Sequence, residues 1–554
     1  MNNSSPDRWF NGWTLCLACL AVYAPIFWML PLSRGESMYA LIPQEMLISG
    51  SWLTPTLNGV PYLDKPPLLY WLNLLSYKIF GVSDWSARLP TLGLTVLEVW
   101  LTYLIGRRLL GTRAAWLGGF VLLSSVGFCA FHLNLLTDHL ITVSLAASLY
   151  SMMRWQEDYA FTWMALFSLA LVAGFLSKSF IGVAFPVLIC LLYALWLRQP
   201  RLLSLIFSPK GAALAILLII PWGVWVEKAH PGFLMHQFIN EQFLRFLGQR
   251  QPPDIIPFSI WAFWVFLIIW LMPWTVLLPE GLIKFWRETR RDKREAWLLL
   301  IWAGVILGFF TLAASRIEYY HLPALPPLAL VVGWRLDRYL AAPGDRWPYW
   351  ALLPIAVVAM LILSLMPHME ALCASNRREF IGLASLVLPL VKPASFIMPT
   401  LALAGILFGR RRPGIVTASF IALALALTFL TFLSLYALSP QLSDKIPGQY
   451  IRDHASSQDV IVMEHIEEFE FGASLVFYSG RRLLMVQRNG LPQFPYPVAP
   501  QDNYIISPVQ LNELWHGPAR VFLLIDDASA GEPYLEGARV ALRTPSKRLL
   551  VNRP

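Results

Sequence analysis

The sequence predicts a polytopic α-helical membrane protein that carries a small C-terminal α/β domain outside the membrane. Of its 554 residues, 57% are hydrophobic and 14% are charged, whereas a soluble domain carries about 25% charged residues. Apolar runs long enough to cross a bilayer, which takes roughly 20 residues, recur through residues 1–437. From residue 438 the pattern changes to short strand-like runs. We therefore expect a transmembrane domain over 1–437 and an α/β domain over 438–554.

The apolar runs predict about thirteen transmembrane helices. The first follows the polar segment MNNSSPDRW and lacks a small-residue cleavage site, so we expect a retained helix and not a removed signal peptide. The predicted spans are residues 10–32, 84–106, 114–131, 139–156, 161–177, 180–197, 211–227, 257–279, 296–314, 322–340, 349–367, 385–408 and 414–437.

Basic residues follow the even-numbered spans, which predicts that these loops and the N-terminus are cytoplasmic. The formal charge of +9 then reflects topology signals and contact with anionic lipids, and we expect no nucleic-acid partner. The loops 33–83 and 228–256, the connector 315–321 and the domain 438–554 face outward. The basic groups are Arg107, Arg108 and Arg113; Arg198, Arg201 and Lys210; Lys284 to Arg294; Arg335 and Arg338; and Arg410 to Arg412.

The outward segment Ser33 to Trp71 carries charges that a plain connector does not need, because charge is costly at a membrane. In it, two prolines follow Asp64 and Lys65 and stiffen the backbone. A rigidly held lysine suits a phosphate group, although Lys65 could also anchor the segment to lipid head groups. Glu36 is a candidate general base, a metal ligand, an anchor at the membrane interface or a solvated loop acid.

Two further outward positions carry candidate site residues. Asp138 begins the fourth span, where it could also serve as a helix cap or a partner of the helix dipole. The residues from Phe238 to Arg245 predict an amphipathic helix on the membrane interface. Within it Glu241 and Arg245 either pair along the helix, or Arg245 faces an anionic head group.

The short connector before the tenth span concentrates Arg316, Glu318, Tyr319, Tyr320 and His321. An aromatic belt explains the tyrosines but not the neighbouring charges. His321 could bind a metal or could be a structural, hydrogen-bonded histidine. Together the outward cations suit a departing phosphate, and the carboxylates suit proton transfer. The sequence contains no Walker motif, Rossmann glycine pattern or metalloprotease helix signature.

The cysteines and the C-terminal tail provide fewer candidate site residues than the outward loops. Cys16, Cys19, Cys129 and Cys190 fall within apolar spans, so we expect packing roles and no disulfide framework. In the tail we predict strands at 460–463, 483–486 and 521–527, and a helix near 468–477. Asp526 and Asp527 are either turn residues after a strand or a metal site.

The motifs GESMYALIPQEMLISGSWLTP and LNGVPYLDKPPLLYW resemble the first outward loop of bacterial lipid-linked-sugar glycosyltransferases of the GT-C fold. The nearest group transfers 4-amino-4-deoxy-L-arabinose to lipid A, and the protein O-mannosyltransferases are more distant. Asp138, the segment FINEQFLRF and the segment YYHLPALPPLAL extend the resemblance. It implies an enzyme of the bacterial inner (plasma) membrane that moves a sugar, with inversion, from a polyprenyl-phosphate donor to a lipid A-like lipid, a glycan or a protein.

The resemblance also implies site residues. The family's loop signature reads Asp-Glu before Tyr-Ala, and here Gly35 stands at the Asp position and Glu36 at the Glu position. Glu36 or Asp138 would then be the catalytic carboxylate, unless the acceptor is an already ionised phosphate. Gln242 stands where the family has a histidine, and this departure counts against the metal site that the position helps to form in the family. A divalent metal is possible, and no cofactor is certain. The implied donor-phosphate ligands are Lys65, Arg245 and Tyr320, with Asp64, Tyr39, Glu241 and Arg316 in support.

Two other functions fit the span pattern. A lipid or solute transporter, or a flippase, would also have many spans, and it predicts charges near the bilayer midplane and broken helices. Glu98 is the exception that lies inside a span; it is either satisfied by neighbouring helices or has a coupling role. A scaffold protein with the tail as its binding module leaves the clustered outward charges unexplained.

Overall fold

The computed structural model describes residues 10–132, 134–251, 258–342, 346–375, 379–409, 412–464, 472–486, 504–526 and 537–553. Most of these residues are helical. In chain order the helices are α1 (Gly12–Met29), α2 (Arg34–Ser49), α3 (Leu68–Phe80), α4 (Asp84–Leu110), α5 (Thr112–Leu123), α6 (Val126–His132), α7 (Thr137–Asp158), α8 (Phe161–Lys178), α9 (Phe180–Leu197), α10 (Arg201–Ile206), α11 (Pro209–Ala229), α12 (Phe233–Met235), α13 (Ile260–Trp270), α14 (Leu278–Asp292), α15 (Leu298–Leu312), α16 (Leu325–Ala341), α17 (Trp347–Trp350), α18 (Leu352–Ser375), α19 (Glu379–Phe408), α20 (Pro413–Leu442), α21 (Lys445–His454), α22 (Ala473–Ser479) and α23 (Pro508–His516).

The described residues contain nine helices that are long and apolar enough to cross a membrane, or up to eleven when each of two bent pairs counts as one span. The bent pairs are α5 with α6, at 59°, and Ile260–Trp270 with Trp274–Arg290, at 99°. The predicted count of thirteen is therefore too high by this criterion. The other two predicted spans are also helices. They are α7, whose faces are largely buried, and α16, which is 17 residues long and lies in the core of the bundle.

The basic loops and the tail lie at opposite ends of the helix bundle. Asp84, which begins α4, accepts a hydrogen bond from Tyr478 of the tail at 2.7 Å. Arg108, near the other end of α4, pairs with Glu157. A helix of 27 residues is about 40 Å long, so it separates these two contacts by the thickness of a membrane. This arrangement agrees with the predicted alternation of loops.

The predicted outward loop after the first span is itself folded. It consists of α2, a hairpin of β1 (Thr56–Leu57) and β2 (Val60–Pro61), and α3. Ser33 caps α2 and exchanges bonds with Glu36 in a capping box. The interfacial helix predicted around Phe238 is a π-helix, His236–Leu244, whose wide turns bring Gln237 and Glu241 into the interior.

The tail is an α/β domain, as predicted. Its remaining strands are β3 (Val460–Met463), β4 (Leu484–Val486), β5 (Ile505–Ile506), β6 (Val521–Asp526), β7 (Arg539–Arg543) and β8 (Lys547–Val551). They form one sheet in the order β5-β4-β3-β6-β8-β7, in which β3 to β6 are parallel and β7 and β8 are antiparallel. The predicted helix is α22 at 473–479; residues 465–471 and Asp527 lie outside the described residues.

The tail docks on the first outward segment. The Asn58 side chain, at the tip of the β1–β2 hairpin, donates to the Leu483 carbonyl at 2.9 Å and accepts from the Leu483 amide at 3.1 Å. Tyr478 donates to Asp84 and accepts from the backbone amide of Leu32 at 2.7 Å. Apolar residues of α2, α3 and the sheet form one shared cluster. The tail therefore holds the outward segment in place above the bundle.

Candidate active site

Glu241 is the centre of an ion-pair cluster at the end of the bundle that the sequence predicts to face outward. The π-helix buries its carboxylate, which is 4% exposed. Lys65 Nζ lies 3.2 Å and Arg245 Nη1 3.3 Å from Glu241 Oε2, and Arg250 Nε donates to Oε1. One carboxylate thus gathers three cations from two separate segments of the chain. The alternative in which Glu241 pairs only with Arg245 along one helix is therefore incomplete, because Lys65 and Arg250 bind the same carboxylate.

The turn that carries Lys65 is rigid for identifiable reasons. Pro66 and Pro67 restrict the backbone before α3, and Leu63 packs in an apolar cluster with residues of α8 and α11. Asp64 is also held, by His236 Nε2 at 2.9 Å and Arg250 Nη2 at 3.1 Å. The predicted stiff Asp-Lys turn is therefore anchored on both of its charged residues.

A second ion pair joins Asp138 to Lys178, whose Nζ lies 2.7 Å from Asp138 Oδ1. Lys178 also lies over the ring of Tyr320, 4.6 Å from the ring centre. Residue 136, not Thr137 or Asp138, is the N-cap of α7, and it makes no side-chain cap bond. The observed partner of Asp138 is Lys178, so the expected capping role is not found.

Lys178 ends α8 at a strained break in the chain. The next residue, Ser179, has φ 60° and ψ −135°, a conformation that is essentially restricted to glycine. Such strain persists only where surrounding structure imposes it, and it concentrates at functional sites. Here it places the lysine at the outward end of the α8–α9 pair, beside Asp138.

Tyr319 links the two ion-pair groups. Burial raises the pKa of Tyr319 well above its usual range, and the charge of Asp138 raises it further while Arg245 opposes the shift. Tyr39 also contributes to this shift. Asp138, Arg245 and Tyr39 are thus within electrostatic reach of one phenol. Lys65 and Arg245 meet at Glu241, and Asp138 pairs separately with Lys178.

The cluster has a definite layering. The carboxylate side chains are nearly inaccessible, at 1% exposed for Asp64 and Glu241, while those of Lys65 and Arg245 are 14% and 18% exposed. Buried acids therefore lie beneath cations that still reach solvent. Among the described residues, the cations Lys65, Lys178, Arg245 and Arg250 pair with the carboxylates Asp64, Asp138 and Glu241.

The charge state of Glu241 follows from its neighbours. Burial alone would raise its pKa, but Lys65, Arg250 and Arg245 together lower it to about 2. The same pairing with Glu241 overcomes burial and raises the pKa of Arg250. Glu241 therefore stays ionised at any physiological pH and is a poor general acid or base.

Glu36 lies in a different ion pair. Arg88 Nε and Nη2 each donate to one carboxylate oxygen of Glu36 at 2.8 Å, and Arg88 also donates to the carbonyls of Leu30 and Pro31. Among the described residues, no hydrogen bond or ion pair joins Glu36 to Lys65, Asp138 or Arg245. Arg88 occupies both oxygens of Glu36, so Glu36 lies in an ion pair of its own.

Glu36 does border a cavity. The cavity has a volume of about 340 Å³ and is bounded by Arg34, Arg88, Leu435 and Asn134, which lies in the turn before α7. The catalytic role of Glu36 therefore stays a prediction, and its contacts indicate a structural role as well.

Three other predicted residues are held by local contacts. The Arg316 guanidinium donates to backbone carbonyls of Phe258, Thr311 and Ala313, which ties together the ends of α13 and α15. Tyr39 stacks on Tyr70 with ring centres 6.2 Å apart. His321 bonds the Glu318 carbonyl through Nδ1 and stacks on Phe263, which favours the structural alternative for this histidine.

The outward cluster also contains possible metal ligands. Asp64, His236 and Glu241 each offer one donor atom, and these atoms lie within 4.8 Å of one another. Asp64 and His236 fit a divalent transition metal. Glu241 fits it poorly, because three cations already share its oxygens. His236 stands six residues before Gln242, the position at which a family histidine was expected.

Sequence reasoning missed Lys178, Arg250 and His236. Lys178 could have been predicted, because it is a charged residue directly after the fifth predicted span, at its outward end. Arg250 and His236 lie within the predicted outward loop 228–256. Their pairing with Asp64 depends on the π-helix and on chain reversal, which residue spacing does not reveal.

The chain is similar to known proteins in three kinds of comparison: with a family model, with curated relatives and with solved structures. A family model described as dolichyl-phosphate-mannose-protein mannosyltransferase matches residues 64–225. An undecaprenyl phosphate-alpha-4-amino-4-deoxy-L-arabinose arabinosyl transferase of Pseudomonas fluorescens is 33% identical over 347 residues, covering 60% of this chain and 61% of the relative. A Pseudomonas aeruginosa transferase of the same description is 30% identical, covering 64% of this chain and 66% of the relative. The matched part of the chain thus spans less than two thirds of these curated relatives.

The solved structure of ArnT from Cupriavidus metallidurans bound to undecaprenyl phosphate superposes with a TM-score of 0.81 at 23% identity, covering 98% of both chains. Its apo form superposes with a TM-score of 0.78. The predicted fold class, a polytopic helical membrane protein with a C-terminal α/β domain, is confirmed. The predicted resemblance to aminoarabinose transferases, and more distantly to protein mannosyltransferases, is confirmed as well.

Proposed function

We propose that the chain is a membrane glycosyltransferase that takes a sugar from a polyprenyl-phosphate donor at the outward face of a bacterial inner membrane. The observation that carries this proposal is the set of ion pairs in which buried acids hold Lys65, Arg245, Arg250 and Lys178, while Lys65 and Arg245 still reach solvent. The curated relatives act, by their names, on an aminoarabinose carried by undecaprenyl phosphate. Aminoarabinose is therefore the sugar we propose, and a lipid A-like lipid is the acceptor.

Phosphate recognition follows from the exposed cations. Lys65 supplies a point charge from a rigid turn, and Arg245 supplies a planar donor group that suits phosphate oxygens. Tyr320 lies against Lys178 and borders the same space. When the bond between the sugar and the phosphate breaks, the electron pair stays on the phosphate oxygen. The cations stabilise that developing charge, so the leaving group needs no proton.

Activation of the acceptor needs at most one proton-accepting residue of the protein. An acceptor oxygen attacks the anomeric carbon from the face opposite the phosphate, and one displacement inverts that carbon. An acceptor phosphate is already ionised and gives up no proton. An acceptor hydroxyl would pass its proton to a carboxylate, and we propose Asp138, which pairs with Lys178, for this role. Asp64 and His236 could hold a divalent cation, and such an ion would add Lewis-acid charge at the donor phosphate.

Transfer by purified protein in nanodiscs tests the proposal. With a radiolabelled polyprenyl-phosphate aminoarabinose donor and a lipid A acceptor, we expect Lys65→Ala and Lys178→Ala to lower kcat by about 100-fold, the typical loss for one charge-stabilising donor. Lys78→Ala is the matched control, because Lys78 is an exposed outward lysine that lies over Trp52. Undiminished transfer in either cluster variant contradicts the site. Movement of labelled donor across the bilayer without transfer supports the transporter instead.

A further inference from the structure

A second polar cluster lies inside the helix bundle and takes no part in the proposed reaction. Glu98 lies midway along α4, His132 ends α6, and His139 lies in the first turn of α7. All three side chains are 0% exposed. One donor atom from each lies within 4.8 Å of the other two, and the imidazole centres of His132 and His139 are 4.3 Å apart. Three ionisable groups in an apolar bundle need a physical reason to be there.

The contacts with backbone carbonyls assign the proton of each neutral imidazole to one ring nitrogen. His132 Nδ1 lies 3.1 Å from the Phe128 carbonyl, and His139 Nε2 lies 3.2 Å and 3.1 Å from the carbonyls of Phe131 and Asn134. A carbonyl oxygen only accepts, so both of these nitrogens must donate. In the neutral rings the opposite nitrogens then carry lone pairs. Backbone carbonyls that orient imidazoles in this way are the usual second layer of a metal site.

Three electron-pair donors therefore meet with no hydrogen-bond donor among them. His132 Nε2 lies 2.9 Å from Glu98 Oε2, and two acceptors cannot bond without a shared cation. His139 Nδ1 and Glu98 Oε1 are buried and have no hydrogen-bond partner in the described structure. One proton between Glu98 and His132 would satisfy that pair and leave the other two atoms bare. Unpaired buried polar atoms are costly.

We propose that Glu98, His132 and His139 form a buried zinc site. Two imidazoles and one carboxylate are a ligand set that zinc prefers. A divalent cation satisfies all three electron-pair donors at once and offsets the buried carboxylate charge. Ligand atoms on zinc lie roughly 3.3 Å apart, so the ion draws the three side chains slightly inward. The site ties α4, α6 and α7 together directly beneath Asp138, the neighbour of His139 in the chain.

Metal content of the full-length protein tests this site. The other group of possible metal ligands, Asp64, His236 and Glu241, could also bind zinc, so its histidine is first replaced by His236→Gln. This single variant serves as the reference protein for the measurements below. After zinc loading and desalting, we expect about one zinc per chain in the reference. Adding His139→Gln removes it, whereas adding His230→Gln, a change at a histidine that bonds Thr54, leaves it in place. A zinc-free reference, or zinc unchanged by His139→Gln, overturns the site and favours a shared proton.

A spectroscopic measurement covers the case in which His139→Gln does not fold. Zinc K-edge absorption of the reference protein resolves imidazole rings bound to the ion. The inner cluster offers two histidines and the outer cluster, even when intact, offers one. Two imidazoles per zinc support the proposal, and one or none overturns it. Zinc removal is also expected to lower the unfolding temperature, since the ion links three helices.

Discussion

Both carboxylate oxygens of Glu36 accept hydrogen bonds from Arg88. This pairing determines the expected effect of substituting Glu36 on the stability of the protein. Removing one partner of a buried ion pair costs about 3–5 kcal/mol, because the other charge is left unpaired. We therefore expect Glu36→Gln and Arg88→Met each to lower the unfolding temperature of the purified protein, measured by intrinsic fluorescence. The double variant should be no less stable than either single variant, since no charge then stays unpaired.

The same variants separate the two roles of Glu36. A structural Glu36 predicts that transfer activity and stability fall together, and that Arg88→Met reproduces both losses. A catalytic Glu36 predicts lost turnover in Glu36→Gln at an unchanged unfolding temperature. The second result would restore the prediction made from the loop motif.

Glu241 should make stability depend on pH in the acid range. Its folded-state pKa of about 2 lies below the ordinary 4.5. Its charge therefore contributes fully above pH 4.5, and that contribution is lost as the pH falls towards 2. We expect Glu241→Gln to lower the unfolding temperature at pH 7, by an amount equivalent to about 3 kcal/mol.

The acid titration provides the check on this assignment. The difference between the wild type and Glu241→Gln should stay constant above pH 4.5 and shrink below it. A difference that does not change with pH would mean that Glu241 stabilises the fold through shape and not through charge.

At the residue scale, the sequence identified Lys65, Asp138 and Arg245, because each is a charge next to an apolar span or a rigid turn. It could not identify their partners. Lys178 meets Asp138 only because α7 and α8 pack side by side, and Arg88 reaches Glu36 across 52 residues of chain. Such pairings depend on packing, which spacing along the sequence does not contain.

At the scale of elements, α8 and α9 meet through two glycines. A Cβ added to Gly182 would lie 2.0 Å from the Gly174 carbonyl oxygen, so the helices touch backbone to backbone. We expect Gly182→Ala to force them apart and to destabilise the protein by about 1–3 kcal/mol. Because α8 ends at Lys178, donor transfer should fall as well.

Gly304→Ala is the matched control for this change. Gly304 is an exposed residue of α15, and an added Cβ there has no neighbour within 4 Å. Alanine is also the better helix former, so the unfolding temperature should be unchanged or slightly higher. Equal unfolding temperatures for Gly182→Ala and the wild type would show that the helices can separate without cost.

Hydrophobic periodicity predicted the membrane helices well but not the folded outward segment. The segment from Ser33 to Trp71 was expected as a loop because its charges interrupt the apolar pattern. The carboxylates Glu36 and Asp64 are buried and paired with arginines, and Lys65 pairs with Glu241, so α2 and α3 form in spite of these charges. The π-helix has the same origin, since its wide turns become favourable only when Glu241 finds its cations.

At the scale of the molecule, a buried charge pair holds the sheet of the tail against the segment that follows α20, the last helix of the bundle. Lys547 of β8 donates to Asp444, which lies just before α21, and both are almost fully buried. We expect Asp444→Ala to leave Lys547 unpaired and to loosen the tail. Hydrogen exchange in β8 should then speed up by about 10-fold or more, while α8 and α9 keep their protection.

Asp453→Ala is the control, because Asp453 is exposed and pairs only with the adjacent Arg452. Its exchange should match that of the wild type. Unchanged exchange in Asp444→Ala would indicate that the apolar cluster shared by the tail and α2 holds the domain without the ion pair.

The span count shows the limit of sequence reasoning at this scale. All thirteen predicted spans correspond to helices. The two bent pairs cannot be told from straight spans in the sequence, because apolar composition does not indicate the direction of a helix axis. The docking of the tail also depends on individual contacts, such as those of Asn58 with Leu483, which local patterns do not predict.

The sharing of one carboxylate among three cations has a consequence for turnover in the proposed reaction. An incoming phosphate would compete with Glu241 for Lys65, Arg245 and Arg250, so it would bind less tightly than to bare cations. The same competition would act on the spent carrier lipid after its sugar has gone. The internal acid would thereby discourage product inhibition and let the emptied carrier diffuse away for reloading.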